Sequence, residues 1–475
     1  MKKDEVVQQS LRFTYFLIGT IAFSQGIMGL SDLAISYMQK DDYQQDPAQT
    51  QFFSTIISLP WIVKPFWGIL TDTVPLFGYR RKSYLILFGV LGFMCWNLLS
   101  DYGVENREVG LILLTVINIC VAFCNVIGEA LLVEYSGHSD DDTNQNDKAS
   151  QNVTFFFGMR SAGSLVTAYS SGKLLQVLDK RDIFKITSIF PLILACIAIF
   201  VKEKKHSNNE PEKQKIKTIE SLKLFTKFVS QPVIYRPILL IMVFMSSPSI
   251  STAMFYFYTN VLQFGPDFIG ELRLSYSICS ILSAYLFNRF LRHVKFTKVF
   301  GYSTFVYCLV SCQTTLLVTR KNVKLGIPDR LFCFGDGVLN QVIGELNTMP
   351  VLVLACKMCP KNIEGTMYAL LMSAINFGGM VSQELGALLT YYAGVTDDNF
   401  DNLAKLIVIC SLCTMLPLPF LGIINEDQMA KAREKHQYES VPKIEEEEEE
   451  VNFEQEVEEI NDTKGVNQQN EQLLI

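Results

Sequence analysis

The chain is 475 residues long, and 49% of its residues are hydrophobic while only 19% are charged. Soluble proteins carry about a quarter charged residues, so this composition indicates an integral membrane protein. The net charge of -7 reflects acids concentrated near the C-terminus, including the run Glu445–Glu450. No basic domain offsets that tail, so the composition excludes a nucleic-acid-binding protein.

The chain begins with MKKDEVVQQS, which has no small-residue cleavage site, and the apolar stretch after it is too long for a signal-peptide core. We therefore expect this stretch to be retained as the first membrane span. A span needs about 20 mostly apolar residues, and the sequence predicts twelve segments of this kind. They cover residues 13–38, 52–70, 83–100, 109–136, 152–178, 183–201, 234–262, 268–291, 299–319, 331–355, 365–392 and 403–424.

The segment between the second and third spans combines acidic and basic residues. An apolar run ends at Gly68, Asp72 follows, and Gly78 precedes the basic pair Arg80 and Arg81. The positive-inside rule predicts that a loop of this kind lies in the cytoplasm. Its spacing resembles the loop between helices 2 and 3 of the major facilitator superfamily, where the acid and the arginines latch helix ends together in one state. The alternative is an ordinary cytoplasmic loop, which needs only the basic residues.

The longest internal polar stretch, 202–231, divides the chain into an amino half, 1–201, and a carboxy half, 232–425. We expect 202–231 to be a cytoplasmic linker and 426–475 to be a disordered acidic tail. With the N-terminus inside, the inner loops hold about twice as many lysines and arginines as the outer loops, which predicts that both termini are cytoplasmic. The plasma membrane and an internal organelle membrane both remain open.

Two short patterns recur at nearly the same offset in the two halves. The sequence Val-Ile-Gly-Glu occurs at 126–129 and again at 342–345. Spans five and eleven share a second pattern, because Gly163 and Gly172 of the first correspond to Gly378 and Gly386 of the second. The shared offset predicts duplicated halves related by an axis along the membrane normal.

Polar residues inside the spans recur at helical intervals, so each helix can turn a polar stripe towards a common interior. Ionisable groups within a membrane mark a cavity or a pathway. The alternative is structural, because small polar residues join helices and opposite charges can pair with one another. The charged members of the stripes are Asp32, Glu129, Glu134, Arg160, Lys173, Arg273, Glu345 and Glu384.

Two cysteine pairs, Cys356/Cys359 and Cys410/Cys413, have the C-x-x-C spacing of metal sites. Both pairs lie in or beside apolar segments, and the four histidines lie in loops or tails. A zinc site needs converging ligands with polar support. We therefore expect no metal and no cofactor. The sequence also has no nucleophile–base pair and no phosphate-binding loop, so we do not expect an enzyme.

Stretches in both halves resemble the folate–biopterin transporters of the major facilitator superfamily. The most specific are K-P-F-W-G at 64–68 and C-P-K-N-I-E-G-T-M-Y-A-L-L-M-S at 359–373, and further matches cover 31–49, 251–274 and 388–396. The resemblance implies an all-α fold with twelve transmembrane helices in two six-helix halves, and uptake or exchange of folates or pterins, often coupled to protons. The family-typical positions are Asp32, Lys64, Asp72, Arg80, Arg81, Glu364 and Asn376.

The chain departs from the family pattern in two segments. Asn125 and Glu129 stand where many members carry two aspartates, and Glu271 stands where a basic residue is common. Both are plausible cavity positions. An unusual pteridine or another small polar metabolite is therefore an open alternative, as is a receptor that keeps the fold without transporting.

The chemistry of a pterin suggests which residues bind it. Its pyrimidinone edge presents adjacent N–H donors that a carboxylate accepts in a bidentate way, and its flat ring suits aromatic stacking. The glutamate tail of a folate needs cations. The predicted substrate site comprises Asp32, Asn125, Glu129, Arg160, Tyr256, Arg273, Glu345, Asn376 and Gln383.

We expect a monomer in the lipid bilayer with one substrate site near the midplane between the halves. Rocking of the halves would give alternating access. Proton coupling would use Asp32 or Glu129. The predicted latch comprises Lys64, Gly68, Asp72, Gly78, Arg80, Arg81 and Glu364.

Overall fold

Helices account for all the regular secondary structure that the computed structural model describes, over residues 2–136, 142–200, 203, 229–291, 294–358 and 364–423. The all-α prediction is therefore confirmed for these residues. The helices are α1 (Lys2–Tyr37), α2 (Pro47–Ser58), α3 (Lys64–Thr73), α4 (Lys82–Leu98), α5 (Arg107–Ser136), α6 (Asp142–Val177), α7 (Lys180–Ile199), α8 (Pro232–Met245), α9 (Ser251–Tyr256), α10 (Pro266–Leu286), α11 (Phe296–Gln313), α12 (Thr315–Val318), α13 (Lys321–Lys324), α14 (Asp329–Met358), α15 (Glu364–Tyr392) and α16 (Leu403–Cys413).

Every predicted span overlaps one or two of these helices. By length and composition, six helical segments of the described residues are long and apolar enough to cross a membrane. The total of twelve crossings stays a prediction. The six segments are Tyr15–Asp42, Lys82–Gly103, Arg107–Leu131, Lys180–Ile199, Thr297–Val318 and Leu403–Gly422.

Prolines interrupt the second and seventh predicted spans. The second consists of α2, a 3₁₀ turn at Leu59–Trp61, and α3 with Pro65 in its first turn. The seventh consists of α8 and α9, separated by a stretch that contains Pro248. Proline has no backbone N–H to continue a helix, so each of these spans has an irregular segment that exposes backbone groups for other contacts.

Glycines allow close helix contacts within each half. In the amino half, a Cβ on Gly163 of α6 would lie 2.6 Å from the Phe23 carbonyl oxygen of α1, and Gly26 of α1 faces the same crossing. In the carboxy half, a Cβ on Gly378 of α15 would lie 2.7 Å from Met245 Cβ of α8. The first glycine of each repeated pair therefore packs against the first predicted span of its own half.

The second glycine of each pair packs against the opposite half. A Cβ on Gly172 of α6 would lie 2.8 Å from Gly270 Cα of α10. A Cβ on Gly386 of α15 would overlap the Ser249 carbonyl oxygen of its own half and would lie 2.5 Å from the amide nitrogen of Gln51 in α2 of the opposite half. Gly172 and Gly386 correspond in the predicted repeat, and each of them thus contacts a helix of the second predicted span of the opposite half.

Polar contacts close the two halves together at the predicted outer side. The fully buried Tyr256 donates its hydroxyl to the Gln45 carbonyl at 2.5 Å, and this hydroxyl lies 2.7 Å from the Thr50 hydroxyl. Gln51 donates to the backbone carbonyls of Ser249 at 2.9 Å and Gln383 at 2.8 Å. An apolar cluster adjoins these bonds and draws on both halves. Its members include Leu33, Tyr37, Leu175, Phe255, Phe257 and Phe268.

Substitution of Gly172 tests this closure. The added methyl group of Gly172→Ala would overlap α10, and overpacking of this kind costs about 1–3 kcal/mol. We expect the two halves to separate at the outer side, which nitroxide labels on the exposed positions Asp179 and Gln263 would record as a longer distance in double electron–electron resonance. Gly158→Ala in the same helix is the control, because a Cβ there meets nothing within 4 Å. Equal distances in both variants would contradict the assignment.

Candidate functional site

A cavity of about 280 Å³ lies among α1, α4, α5, α6 and the turn at Trp61; we refer to it as the amino cavity. The crossing of α1 and α6 at Gly26 and Gly163 places the polar stripes of both helices beside it. Its walls combine charged, amide and indole side chains. These include Gln25, Asp32, Trp61, Trp96, Asn118, Arg160 and Ser164. The predicted residues Asp32 and Arg160 therefore line one space.

Asp32 of α1 faces Arg273 of α10, so this ion pair joins the two halves. Arg273 Nη2 lies 3.4 Å from Asp32 Oδ2, and the two side chains are 34% and 55% exposed. An exposed pair contributes little stability, so it can separate at small cost. The structure thus brings together two predicted site residues that lie far apart in the sequence.

Arg160 is exposed and forms no ion pair with another side chain in the described part of the chain. Asp32, the carboxylate that shares the amino cavity with it, pairs with Arg273 instead. A guanidinium without a fixed carboxylate partner binds anions in a bidentate geometry. The amino cavity can therefore bind a ligand carboxylate at Arg160.

Glu129 of α5 binds Lys64 of α3. Lys64 Nζ lies 3.0 and 3.2 Å from the two carboxylate oxygens of Glu129, and 5.4 Å from the centre of the Trp61 ring. Trp61 Nε1 in turn donates to Asn118 Oδ1 at 3.0 Å. This chain of contacts links Glu129 to the wall of the amino cavity. Lys64, which we predicted as part of the latch, is thus the partner of a predicted substrate residue.

A second cavity, of about 330 Å³, lies among α8, α11, α14 and α16; we refer to it as the carboxy cavity. Glu345 lines it and accepts hydrogen bonds from Ser280 at 2.7 Å and Gln341 at 3.1 Å. These donors are neutral, unlike the lysine that faces the corresponding Glu129. Of the predicted site residues, Asp32 and Arg160 thus line the amino cavity and Glu345 lines the carboxy cavity. The Asp32–Arg273 ion pair is one of the contacts that join the halves.

The remaining predicted residues do not line either cavity. Tyr256 is buried in the outer closure, where its ring is not available for stacking on a ligand. Asn125 is also buried, and its amide has no hydrogen-bond partner among the described residues. Asn376 and Gln383 lie half-buried on α15, and Gln383 contributes its backbone carbonyl to the bond with Gln51.

Sequence reasoning missed three residues with polar roles in the structure. Asp336 of α14 is buried and accepts from Thr314 at 2.8 Å and from Asn340 at 3.2 Å. An acid inside a predicted span was the signal that could have identified it. Trp96 lines the amino cavity, and no sequence pattern marked it.

The third residue that we missed is Glu203, which lies beyond α7 and binds the loop before α4. Its carboxylate accepts the backbone N–H groups of Arg80 at 2.8 Å, Arg81 at 3.1 Å and Lys82 at 2.9 Å. These groups lie at the N-terminus of α4, where a helix attracts negative charge. The predicted linker therefore begins at a fixed contact with the predicted latch.

Other parts of the predicted latch have local structural roles. Gly78 has a φ of 84°, a left-handed conformation that favours glycine. The buried Arg81 donates from Nη1 to Thr71 Oγ1 at 3.1 Å. Gly68 lies against α5 beside Val126. The side chains of Asp72 and Glu364 lie outside the described part of the structure, so their predicted role stays a prediction.

Comparisons with known proteins agree with this architecture. A model of the BT1 family matches residues 25–443. The folate-biopterin transporter of Synechocystis sp. is 40% identical over 405 residues, which is 85% of this chain and 80% of that protein. Folate transporter 1 of Plasmodium falciparum is 33% identical over 414 residues, which is 86% of this chain and 79% of that protein. The solved structure of the nucleoside transporter NupG has a TM-score of 0.63 at 12% identity, and covers 86% of this chain and 98% of that chain.

The helical architecture and its likeness to solved transporters define a protein with the major facilitator fold, as the sequence predicted. The chain belongs to the BT1 family, that of the folate–biopterin transporters. It is therefore an integral, multi-pass membrane protein of a transporter family. The resemblance that we drew from the K-P-F-W-G segment and the other matching stretches is confirmed.

Substitution of Glu203 tests its role as the acceptor at the start of α4. Glu203→Gln removes the charge from three hydrogen bonds, so we expect a loss of about 1–3 kcal/mol. A lower midpoint of thermal unfolding in detergent would record this loss. Glu105→Gln is the control, because Glu105 is 73% exposed in its ion pair with Arg181 and such pairs contribute little. A midpoint unchanged in both variants would show that Glu203 does not stabilise the loop.

Proposed function

We propose that this protein transports folates or pterins across a membrane by alternating access. The observation that supports this proposal most directly is Arg160, an exposed guanidinium that has no described carboxylate partner and lines a cavity with amide and indole groups. A folate combines a flat polar ring with a glutamate tail. The amide and indole groups of the cavity suit the ring, and the guanidinium of Arg160 suits the tail. The named relatives, a folate-biopterin transporter and a folate transporter, support the same substrate class.

The proposed transport cycle uses the contacts between the halves. In the structure the halves are joined at the predicted outer side through Gln51, Tyr256 and the glycine contact of Gly172 with Gly270. Rocking about the substrate site would break these contacts and expose the amino cavity to the other side. The loop that carries Arg80 and Arg81 would stabilise the outward-open state. We place both termini in the cytoplasm and propose a monomer.

We also propose that protons drive uptake through Asp32 or Glu129. Each carboxylate faces one cation, Arg273 or Lys64, at a distance of 3.0 to 3.4 Å. If rocking separates such a pair, the released carboxylate can take a proton in place of the cation. This exchange would couple proton movement to the change of state.

The substrate class is tested by uptake of labelled folate into proteoliposomes, with folate, methylfolate, biopterin and unrelated metabolites as competitors. We expect folates and biopterin to compete and the unrelated metabolites not to. No specific uptake by the wild-type protein would favour a receptor with the same fold. Competition by an unrelated metabolite alone would indicate another substrate.

Arg160→Gln tests the cation that we assign to the glutamate tail. A charged hydrogen bond is worth about 1.5–3 kcal/mol, so we expect KM for folate to rise roughly 10- to 100-fold. KM for biopterin should change little, because biopterin has no carboxylate tail. Arg107→Gln serves as the control, since Arg107 lies over the Phe53 ring and away from the cavity. A parallel rise for both substrates would contradict the assignment.

The coupling proposal is tested by comparing accumulation with exchange. Asp32→Asn and Glu129→Gln remove a titratable group, so at least one should abolish uphill accumulation while exchange of internal for external substrate persists. A protonophore should lower accumulation by the wild-type protein to the same level. Asp101→Asn is the control, because Asp101 forms an exposed ion pair with Lys185. Unaltered accumulation in both variants would eliminate these residues as coupling groups.

A further inference from the structure

Gln25 of α1 and Trp96 of α4 are the polar members of the wall between the amino cavity and a smaller apolar cavity of about 30 Å³; the wall also contains Met28, Ile117 and Val121. Both side chains line both spaces. The amide nitrogen and oxygen of Gln25 and the indole nitrogen of Trp96 are shielded from solvent, and none of them has a hydrogen-bond partner among the described residues. Buried polar groups in proteins are nearly always paired. Three unpaired polar groups in side chains that line one cavity therefore mark this wall as a candidate binding surface, and a ligand would reach the shielded atoms after a small shift of the side chains.

Two other polar residues of the same cavity, unlike Arg160, already have partners. Trp61 uses its N–H to donate to Asn118, and Asp32 pairs with Arg273. The indole N–H of Trp96 and the carboxamide of Gln25 are thus the groups of this wall that remain unused. Both groups are neutral and shielded, which separates them from the exposed, charged Arg160 that we assign to the tail of the substrate.

The packing around the wall holds the backbone of α1 and the ring of Trp96 in place. Gln25 precedes Gly26, where a Cβ would lie 2.6 Å from the Ser164 backbone nitrogen, so α1 is held against α6 at this point. Trp96 is 2% exposed, and its ring lies 5.7 Å from that of Phe184. Side chains that are fixed before binding lose little entropy when a ligand arrives. The wall is therefore suited to recognise one pattern of donors and acceptors.

We infer that Gln25 and Trp96 form hydrogen bonds with one long edge of the substrate's bicyclic pterin ring system. A carboxamide offers one acceptor beside one donor, and an indole adds one donor. Each long edge of a 2-amino-4-oxopteridine offers the complement, one N–H donor followed by two acceptors. On one edge these are N3–H, O4 and N5, and on the other they are the 2-amino group, N1 and N8. The inference deepens the proposed function and rests on it.

The size of the amino cavity agrees with this placement. At about 280 Å³ it is near the lower limit of typical ligand pockets, which measure roughly 300–1,000 Å³. It can therefore hold the ring. The ring would lie at Gln25 and Trp96, and the tail of a folate would extend towards Arg160 on α6.

Methylated pterins test the inference in competition against labelled biopterin in proteoliposomes. 3-Methylpterin blocks one edge, and the 2-dimethylamino derivative blocks the other. In the wild-type protein, the derivative that blocks the edge in contact should compete at least about tenfold more weakly than pterin. In Gln25→Leu, the ratio of the inhibition constants of that derivative and of pterin should fall towards one, because the side chain that binds the edge is absent. Loss of structure alone would weaken all competitors in parallel and leave the ratio unchanged.

Two further variants complete the test. Gln313→Leu, in α11 of the carboxy half, should keep the wild-type ratios. Trp96→Phe keeps the packing but removes the N–H, so it should abolish the wild-type preference for pterin over 5-deazapterin or 8-deazapterin; this variant serves if Gln25→Leu does not fold. Uptake by the wild-type protein with unaltered ratios in both Gln25→Leu and Trp96→Phe would overturn this inference alone. No folate or pterin uptake by the wild-type protein would overturn the proposed function and this inference with it.

Discussion

Charged side chains inside a bilayer need partners, because hydrocarbon does not solvate ions. Two ion pairs near the amino cavity meet this requirement and also connect different helices. Lys64 and Glu129 join the broken second span to α5, and Asp32 and Arg273 join the two halves. Because these pairs are partly exposed, their separation costs less than that of a fully buried pair. The same contacts can therefore stabilise one conformation and release it.

Close helix packing determines where those charges lie. Gly26 and Gly163 hold α1 against α6, so that the polar stripes of both helices border the amino cavity. Gly172 and Gly270 bring the two halves together further along α6. In membranes, small residues of this kind allow backbones to approach. A cavity with charged walls can form in this bundle because the neighbouring crossings are tight.

The two cavities differ although they belong to repeated halves. Glu129 faces a lysine, whereas Glu345 accepts from Ser280 and Gln341. Asn125 and Gln341 occupy corresponding positions, but only Gln341 forms a side-chain hydrogen bond among the described residues. An arginine without a described carboxylate partner borders the amino cavity, as do the unpaired Gln25 and Trp96. These differences favour substrate recognition in the amino half.

The sequence by itself determined the membrane class, the helical elements and the family, because apolar length, helical spacing and the K-P-F-W-G segment are local properties of the chain. It also identified Asp32 and Arg160, which line the amino cavity, since charges within spans are costly and few. Only the tertiary structure decided which charges meet. It paired Lys64 with Glu129, buried Tyr256 in the outer closure and placed Glu203 at the start of α4. Such contacts depend on how helices cross and rotate relative to one another, and spacing along a single helix does not contain that information.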